Sequence, residues 1–504
     1  MKFRCRHLLA LALALCAFCL CLSPAHAAEA DAEMAEKLTG KAFFTGSTGF
    51  PGIECLYDGV GDWGLKTADT AKLSIASDKG IASLYIRFGR PYAVYSIIDN
   101  DTGTAHDWNQ KFIHDYIDLE ALFGYVPTSV TLSFQYGAAY LYEVTGYTKG
   151  QLPDDVQVWE EPKDGETDLV LFSTHCDDEH LFFAGILPYY AGELNYNVQL
   201  VYMTDHVKAI SYVRVHESLD GLWKAGVRNY PIWGEYYDYP VDNIGDAYRY
   251  FKAYGWPEEE MLGFVVEQLR RFKPTVAVGH DLNGEYSHGQ HMVWADLLAK
   301  AVQISGDESQ YSDSSEKYGA WDVPKTYLHL YEENPVVMDW DKPLNAFGGK
   351  TAWQMSMEAY ALHVSQHEDL DSADWYFVEN ETAASITREQ YTPCQFGLYR
   401  STVGDDAAKN DFFENTTTYA QLNGTATVIP TEPEPEPTEA PTEPAPTEAP
   451  VPETQPVEIP SDEPADEGAE QVTYPVWPFL VIGAAVVVAG VSLVVAKKEK
   501  TSEK

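Results

Sequence analysis

Hydrophobic and polar residues alternate over several short stretches between residues 40 and 150. SLYIRF, SVTLSFQY and YLYEVTGY each place their apolar side chains on one face of an extended strand. Clusters of Gly, Asp, Asn and Pro separate these stretches, as expected for turns. Several short alternating strands in succession are typical of antiparallel sheets packed face to face. We therefore predict an antiparallel β-sandwich domain over residues 40–150.

The pattern changes between residues 165 and 415, where continuous apolar runs alternate with amphipathic ones. DLVLFST, NVQLVYMT and PTVAVG are apolar on both faces, which is typical of strands buried in a parallel sheet. EHLFFAGILPYYAGEL, PEEEMLGFVVEQLRRF and HGQHMVWADLLAKAV are predicted to be helices. This alternation predicts an α/β domain with a doubly wound, mostly parallel sheet. Its ligands are expected beyond the carboxyl ends of the strands.

Both ends of the chain have patterns that do not belong to a folded core. Residues 1–27 combine basic residues, an apolar run and an Ala-His-Ala sequence, which predicts a secretory signal peptide. Residues 428–472 are rich in Pro, Glu and Thr and predict a disordered stalk. Residues 476–496 are uncharged and long enough to span a bilayer, and the lysines of residues 497–504 predict a short cytoplasmic tail. We therefore expect a single-pass membrane protein at the cell surface, with its bulk outside the cell.

Charge and cysteine content restrict the class of protein further. The chain of 504 residues carries 77 Asp and Glu against 34 Lys and Arg, a formal net charge of −43. The stalk holds only part of this charge, so the folded part is also acidic and nucleic acid is not an expected partner. Cys55, Cys176 and Cys394 remain after the signal peptide. This odd number does not indicate a disulfide framework, although a Cys55–Cys394 pair stays open.

Two polar clusters follow predicted strands of the α/β domain. They have the sequences STHCDDE and GHDLNGEYSHGQH, and their candidate residues are His175, Asp177, Asp178, Glu179, His288 and His291. The carboxyl ends of parallel strands meet at one edge of a sheet, so the two clusters are expected to converge. Two histidines and one carboxylate form a typical ligand set for a catalytic zinc ion. Taken singly, adjacent aspartates are more often a solvated turn or a helix cap, and a His-x-x-His pair is a weak signal.

Together these clusters resemble the motifs of the PIG-L/LmbE-like deacetylases, zinc hydrolases of substrates that contain N-acetylglucosamine. STHCDDE is similar to the first motif of the family, and GEYSHGQH is similar to its later His-x-x-His motif. The resemblance continues through VRVHESLDGLWKAGV and LHVSQH and ends at FGLYRSTVG, so it runs from about Thr167 to Gly404. It implies a Rossmann-like fold, a Zn²⁺ cofactor and an amino-sugar glycan or glycoconjugate as substrate.

The resemblance also implies a role for each matching residue. His175, Asp178 and His291 would be the zinc ligands. Asp177 would be the general base, and a protonated His288 would stabilise the oxyanion of the tetrahedral intermediate.

Three further residues near the first motif leave alternatives open. Glu179 either orients a ligand from behind or caps the following helix. Arg214 either binds substrate or pairs with Glu217. Cys176 stands where the family usually has proline, and we interpret it as a small neutral residue of the turn rather than a ligand.

The N-terminal domain resembles a second kind of module. LYDGVGDWG near its start and YEVTGYTKG at its end look like a galactose-binding-like, discoidin-type sandwich. Such modules often bind glycans, and Trp63 and Trp108 are candidates for stacking on sugars. A purely structural domain that packs on its neighbour is the equal alternative.

The sequence therefore predicts a cell-surface, zinc-dependent N-deacetylase anchored by its C-terminal helix. One alternative is a surface glycan-binding protein with an inactive deacetylase-like domain. Another is a metallohydrolase of a different amide or ester. Another divalent metal such as iron would fit the same ligands.

Overall fold

A computed structural model of the chain describes residues 33–428, except for positions 61–62, 92, 135–136, 206–211, 368–375 and 378–379. The predicted signal peptide, membrane span and cytoplasmic tail lie outside the described residues, as does all of the predicted stalk except residue 428. Within the described part of the chain, no helix combines the length and apolar character needed to cross a bilayer.

The N-terminal region consists of two antiparallel sheets. Its elements are β1 (Lys37–Leu38), β2 (Phe44–Thr48), β3 (Leu65–Lys66), β4 (Ala71–Ala76), β5 (Ser83–Phe88), β6 (Val94–Asp99), β7 (Ala105–Asn109), β8 (His114–Asp118), α1 (Leu119–Phe123), β9 (Ser129–Phe134) and β10 (Tyr140–Tyr147). One sheet has the order β1-β10-β5-β8, with β3 also on β10, and the other has the order β2-β4-β9-β6-β7.

The apolar faces of both sheets meet in one core. Leu84 and Ile86 of β5 point into it from the first sheet, and Val130 and Leu132 of β9 point into it from the second. All four side chains are fully buried. The alternation predicted for these strands is therefore confirmed. Alternate residues of a strand face the same side of the sheet, so each strand contributes every second side chain to the core.

The second region is a mixed α/β layer, as predicted. Its strands are β11 (Leu169–Ser173), β12 (Val198–Thr204), β13 (Ile232–Tyr236), β14 (Val276–Gly279), β15 (Lys325–His329), β16 (Pro335–Val337) and β17 (Gln395–Ser401). Its helices are α2 (Val213–Lys224), α3 (Ile244–Ala253), α4 (Glu258–Phe272), α5 (Gly289–Ile304), α6 (Ser312–Tyr318), α7 (Ala352–Tyr360) and α8 (Tyr419–Asn423).

One sheet with the order β13-β12-β11-β14-β15-β17-β16 organises this region. The first five strands are parallel, and β17 runs antiparallel to both of its neighbours. Both faces of the sheet are covered. Leu169 and Leu171 of β11 pack in one core, whereas Val170 and Phe172 pack in a separate one. Burial on both faces is the reason why this strand has a continuous apolar sequence.

The helix predicted directly after β11 differs from the structure. Residues 176–185 form successive turns, and a π-helix follows at Leu187–Glu193. Gly185 has φ +91°, a left-handed conformation that interrupts a right-handed helix. A Cβ atom at Gly185 would lie 2.4 Å from the Trp340 ring. The indole therefore excludes a larger side chain at this break. The other two predicted helices form as α4 and α5.

Buried polar contacts join the N-terminal region to helix α2. Arg87 of β5 donates two hydrogen bonds to Asp220, at 3.3 and 3.1 Å. His114 Nε2 lies 2.7 Å from His216 Nδ1, and His114 Nδ1 lies 2.6 Å from Gln157 Oε1. Burial is the main reason why the pKa values of His114 and His216 lie well below the usual value for histidine. Both rings are therefore neutral at pH 7.

The histidine pair makes stability depend on pH. Below the unfolded pKa of about 6.5, the unfolded chain binds protons that the folded protein excludes. Each buried histidine therefore lowers the free energy of unfolding by about 1.4 kcal/mol for every pH unit below that value. We expect the free energy of unfolding of His114→Gln to fall less steeply than that of the wild type between pH 6.5 and 4.5. The difference in slope should be about 1.4 kcal/mol per pH unit. The measurement is urea unfolding at several pH values.

His106→Gln is the matched control for this prediction, because His106 is only partly buried on β7. It should leave the pH dependence unchanged. Equal slopes for the wild-type protein and His114→Gln would contradict the assignment.

Candidate metal centre

The two polar clusters lie at the same edge of the sheet, as predicted. Strands β11 and β14 are parallel neighbours, with Leu171 opposite Val278. His175 follows β11, and His291 lies in the first turn of α5, which follows β14. The chain direction of two adjacent parallel strands therefore brings together residues that are far apart in sequence.

Three of the predicted ligands converge within hydrogen-bonding distance of one another. Asp178 Oδ2 lies 3.3 Å from both His175 Nδ1 and His291 Nε2, and these two nitrogens are 3.2 Å apart. All three side chains are buried. Ligand atoms of a tetrahedral zinc ion lie about 3.4 Å apart, given metal–ligand bonds of about 2.1 Å. The spacing and the chemistry of these donor atoms thus fit a metal ion.

Glu285 belongs to the second motif, but the sequence did not predict its function in the centre. Its Oε2 accepts hydrogen bonds from Nδ1 of His280 and Nδ1 of His291, both at 2.8 Å, and its Oε1 accepts one from His329 Nδ1 at 2.6 Å. Burial opposes its charge, yet these histidines, His280 first, hold the pKa of Glu285 well below its usual value. The carboxylate is therefore ionised inside the protein.

An ionised carboxylate only accepts hydrogen bonds, so it fixes which nitrogen of each ring carries a proton. With Nδ1 of His291 donating to Glu285, the lone pair of Nε2 points toward Asp178 and His175. The same bond at His280 leaves its Nε2 to accept from the Thr174 amide at 2.9 Å. His280 thus has partners at both ring nitrogens, whereas His291 is oriented as a metal ligand.

Asp238 is a second residue that sequence reasoning missed. It follows β13, and its Oδ1 lies 3.3 Å from His175 Nε2. Burial lowers the pKa of His175, but the charges of Asp238 and Asp178 outweigh this effect and raise the pKa to about 10. β13 was not among the strands predicted from the sequence. Recognising IWGEY as a further parallel strand would have identified Asp238, because β13 ends at the same edge as β11.

Asp177, the predicted general base, is paired with Arg214. Arg214 Nη2 lies 3.1 Å from Asp177 Oδ2, and both side chains are largely buried. Burial raises the pKa of Asp177, and the Arg214 charge opposes this rise. Glu217 does not take Arg214 as its partner; it accepts hydrogen bonds from the Ser365 amide and hydroxyl at 2.7 and 2.6 Å.

His288 lies beside the ligands, but its predicted charge state is not favoured. Its ring centroid is 5.0 Å from that of His175 and 4.7 Å from that of His291. Burial, followed by these two histidines, lowers the pKa of His288 to about 2. The expected protonated form is therefore corrected to a neutral imidazole. The preceding residues Tyr286 and Ser287 have φ +42° and +61°, a costly conformation that sets His288 at the start of α5.

Glu179 and Cys176 turn away from the three predicted ligands. Glu179 Oε1 accepts a hydrogen bond from Tyr202 at 2.7 Å. The Cys176 thiol is fully buried and donates to the Arg214 carbonyl at 3.5 Å. Burial raises the pKa of this thiol well above its usual value, which agrees with a neutral residue of the turn. The disulfide left open between Cys55 and Cys394 is not formed, because both are free thiols.

The fold and this cluster define an α/β domain with a candidate metal centre. Residues 170–302 match the model of the PIG-L family, described as GlcNAc-PI de-N-acetylase. This part of the chain is a PIG-L family domain, so the resemblance noted in its motifs is confirmed.

Two curated relatives come from Mycobacterium leprae, strains Br4923 and TN. Each is a 1D-myo-inositol 2-acetamido-2-deoxy-alpha-D-glucopyranoside deacetylase, 26% identical over 209 residues. The match covers 37% of this chain and 66% of each relative, so the chain spans just under two thirds of their length.

Solved structures show a similarity over about half of the chain. N,N'-diacetylchitobiose deacetylase from Pyrococcus horikoshii is 16% identical, with a TM-score of 0.33 over 46% of this chain and 82% of that one. The conserved protein TT1542 from Thermus thermophilus is 15% identical, with a TM-score of 0.32 over 47% of this chain and 97% of that one.

We predict that Glu285→Gln weakens metal binding about 10- to 100-fold, because loss of the carboxylate charge releases the orientation of His291. The measurement is competition for Zn²⁺ between the protein and a chromogenic chelator. Glu332→Gln is the control, since the Glu332 side chain is 83% exposed. Wild-type affinity in Glu285→Gln would contradict the proposed role of this carboxylate.

Proposed function

We propose that this protein is a zinc-dependent N-deacetylase of an amino-sugar glycan or glycoconjugate. It would hydrolyse the acetamide of an N-acetylglucosamine-type residue and release acetate. The observation that carries the proposal is the convergence of His175, Asp178 and His291 beside the Asp177–Arg214 pair. The PIG-L domain and the deacetylase relatives support the same reaction.

His175, Asp178 and His291 would hold the zinc ion. When bound, zinc polarises the substrate carbonyl and lowers the pKa of water to about 7. Asp177 takes a proton from the attacking water as the new C–O bond forms. It then returns this proton to the amine as the C–N bond breaks, so free amino sugar and acetate leave.

Arg214 adjusts Asp177 for this double task. A buried carboxylate alone would bind its proton too firmly to act as a base at neutral pH. A carboxylate that is fully neutralised by a cation would be too weak a base. Burial and the Arg214 charge act on Asp177 in opposite directions, which suits a group that accepts and then returns one proton.

His288 would act as a neutral hydrogen-bond donor to the substrate oxyanion. Its Nδ1 is buried and has no hydrogen-bond partner among the described residues. A proton on this ring would therefore be available to a substrate oxygen, at no cost from breaking an existing bond.

The proposed enzyme combines a Rossmann-like layer, a β-sandwich and a location at the cell surface. The strand order and the two cores around β11 support a Rossmann-like, doubly wound layer, and the shared core of the two N-terminal sheets supports a β-sandwich. The predicted signal peptide would direct the enzyme out of the cell, and the predicted stalk and C-terminal anchor would hold it at the cell surface, where glycans are accessible.

The sandwich would serve either as a structural domain or as a glycan-binding module. Its buried contacts to α2 favour a structural role. Trp63, at 53% exposure, is the side chain available for sugar stacking, whereas Trp108 is partly buried and donates to Asp115.

We predict that Asp177→Asn retains the metal but loses acetate release about 10²- to 10⁴-fold, because the amide cannot take the proton. His175→Ala should lose both metal and activity, because a site with three ligands tolerates the loss of one poorly. The measurements are metal content and mass-spectrometric detection of the lost acetyl group on N-acetylglucosamine oligomers and glycolipids.

Asp242→Asn is the control for this experiment, because Asp242 is exposed. Full activity of Asp177→Asn would mean that the base lies elsewhere. Binding of the oligomers without turnover by the zinc-loaded wild-type protein would favour the glycan-binding alternative. Hydrolysis of acetyl esters alone would favour a different metallohydrolase.

A further inference from the structure

A second group of metal-ligating side chains lies next to the candidate centre. It consists of Glu179, His180 and His363, which are 1%, 0% and 0% exposed. Each offers one ligand atom, and these atoms all lie within 4.8 Å of one another. Two of the residues directly follow Asp178 in the chain, whereas His363 comes from the segment after α7.

The polar atoms of this second group lack hydrogen-bond partners. Among the described residues, no hydrogen bond reaches Glu179 Oε2 or either ring nitrogen of His180 and His363. Buried polar atoms are nearly always paired, because an unpaired one costs about 1–3 kcal/mol. In contrast, His280 and His329 use both of their ring nitrogens in hydrogen bonds. Five unpaired atoms in one buried group therefore indicate a missing partner.

The two imidazoles are directed at one point beside helix α2. A Cβ atom at Gly221 would lie 2.8 Å from His180 Nε2 and 3.0 Å from His363 Nε2. Gly221 is helical, so backbone conformation does not require a glycine there. The absent side chain leaves a space that is bordered by both nitrogens and by the Ala359 carbonyl oxygen, which lies 3.2 Å from the same point.

Hydrogen bonding also fixes the position of the Glu179 carboxylate beside these two imidazoles. Its Oε1 accepts the Tyr202 hydroxyl at 2.7 Å and lies 3.7 Å from His180 Nε2. This fixes the carboxylate while Oε2 stays available.

We propose that Glu179, His180 and His363 bind a second divalent transition-metal ion, for which Zn²⁺ is the probe. Two imidazoles and one carboxylate are a ligand set that suits zinc and its first-row neighbours. The ion would connect the turn that carries Asp177 and Asp178 to the segment of His363. It would therefore be a structural ion that stiffens the turn of the candidate centre, and its presence does not depend on the proposed reaction.

The test is a count of bound metal in the full chain. The purified protein is stripped with a chelator, given Zn²⁺ alone, desalted and analysed by mass spectrometry for zinc. The wild-type protein should hold two ions per chain. His363→Gln, Gly221→Ala and His291→Ala should each hold one, and the double variant His291→Ala/His363→Gln should hold none.

Matched variants separate loss of metal from loss of fold. Gly221→Ala places a methyl group against the two imidazoles, and alanine favours helix more than glycine does. Circular dichroism should therefore be unchanged while half of the zinc is lost. His367→Gln is the control for His363→Gln, because His367 flanks the other end of the short 3-10 helix Val364–Gln366 and is not in the group; it should keep both ions.

Two outcomes would overturn the proposal. One is a wild-type protein with a single ion that His291→Ala loses. The other is folded His363→Gln and Gly221→Ala proteins that hold as much zinc as the wild type. Both results concern only the second ion. Failure of the deacetylase proposal would appear instead as a lack of acetate release by a protein whose first ion is present.

Discussion

One buried carboxylate, that of Glu285, organises the candidate centre. It is shared by His280 after β14, His291 on α5 and His329 at the end of β15. A charge at this depth is tolerable only because three imidazoles surround it. In return it aligns the ends of two strands and the start of a helix. The orientation of His291 toward the first motif is thus a property of the whole sheet edge.

The three consecutive acids of the first motif tolerate one another because each has a different environment. Asp177 meets Arg214, and Asp178 lies among His175, His280 and His291. Glu179 accepts the Tyr202 hydroxyl. The pKa of Asp178 lies below its usual value, because the neighbouring histidines, His291 first, outweigh burial. Burial raises the pKa of Asp177 and of Glu179. Adjacent positions in the sequence therefore carry distinct chemistry.

Local patterns were sufficient to predict two of the three helices named for the α/β domain, the convergence of the two motifs and six of the strands, namely β5, β9, β10, β11, β12 and β14. They failed where contacts between distant segments decide the outcome. Glu285 and His329 are 44 positions apart, and the role of each depends on the other. Asp238 has no motif of its own. The break at Gly185 depends on Trp340, which no periodicity near residue 185 could indicate.

Helix α2 has consequences for how the chain can be divided. Within about two turns of this helix, Arg214 pairs with Asp177, the candidate base. His216 and Asp220 contact the N-terminal region, and Gly221 lies beside the second group of metal-ligating residues. Expressing the α/β part alone would uncover one side of this helix and remove the partners of His216 and Asp220. The N-terminal region therefore covers one side of helix α2.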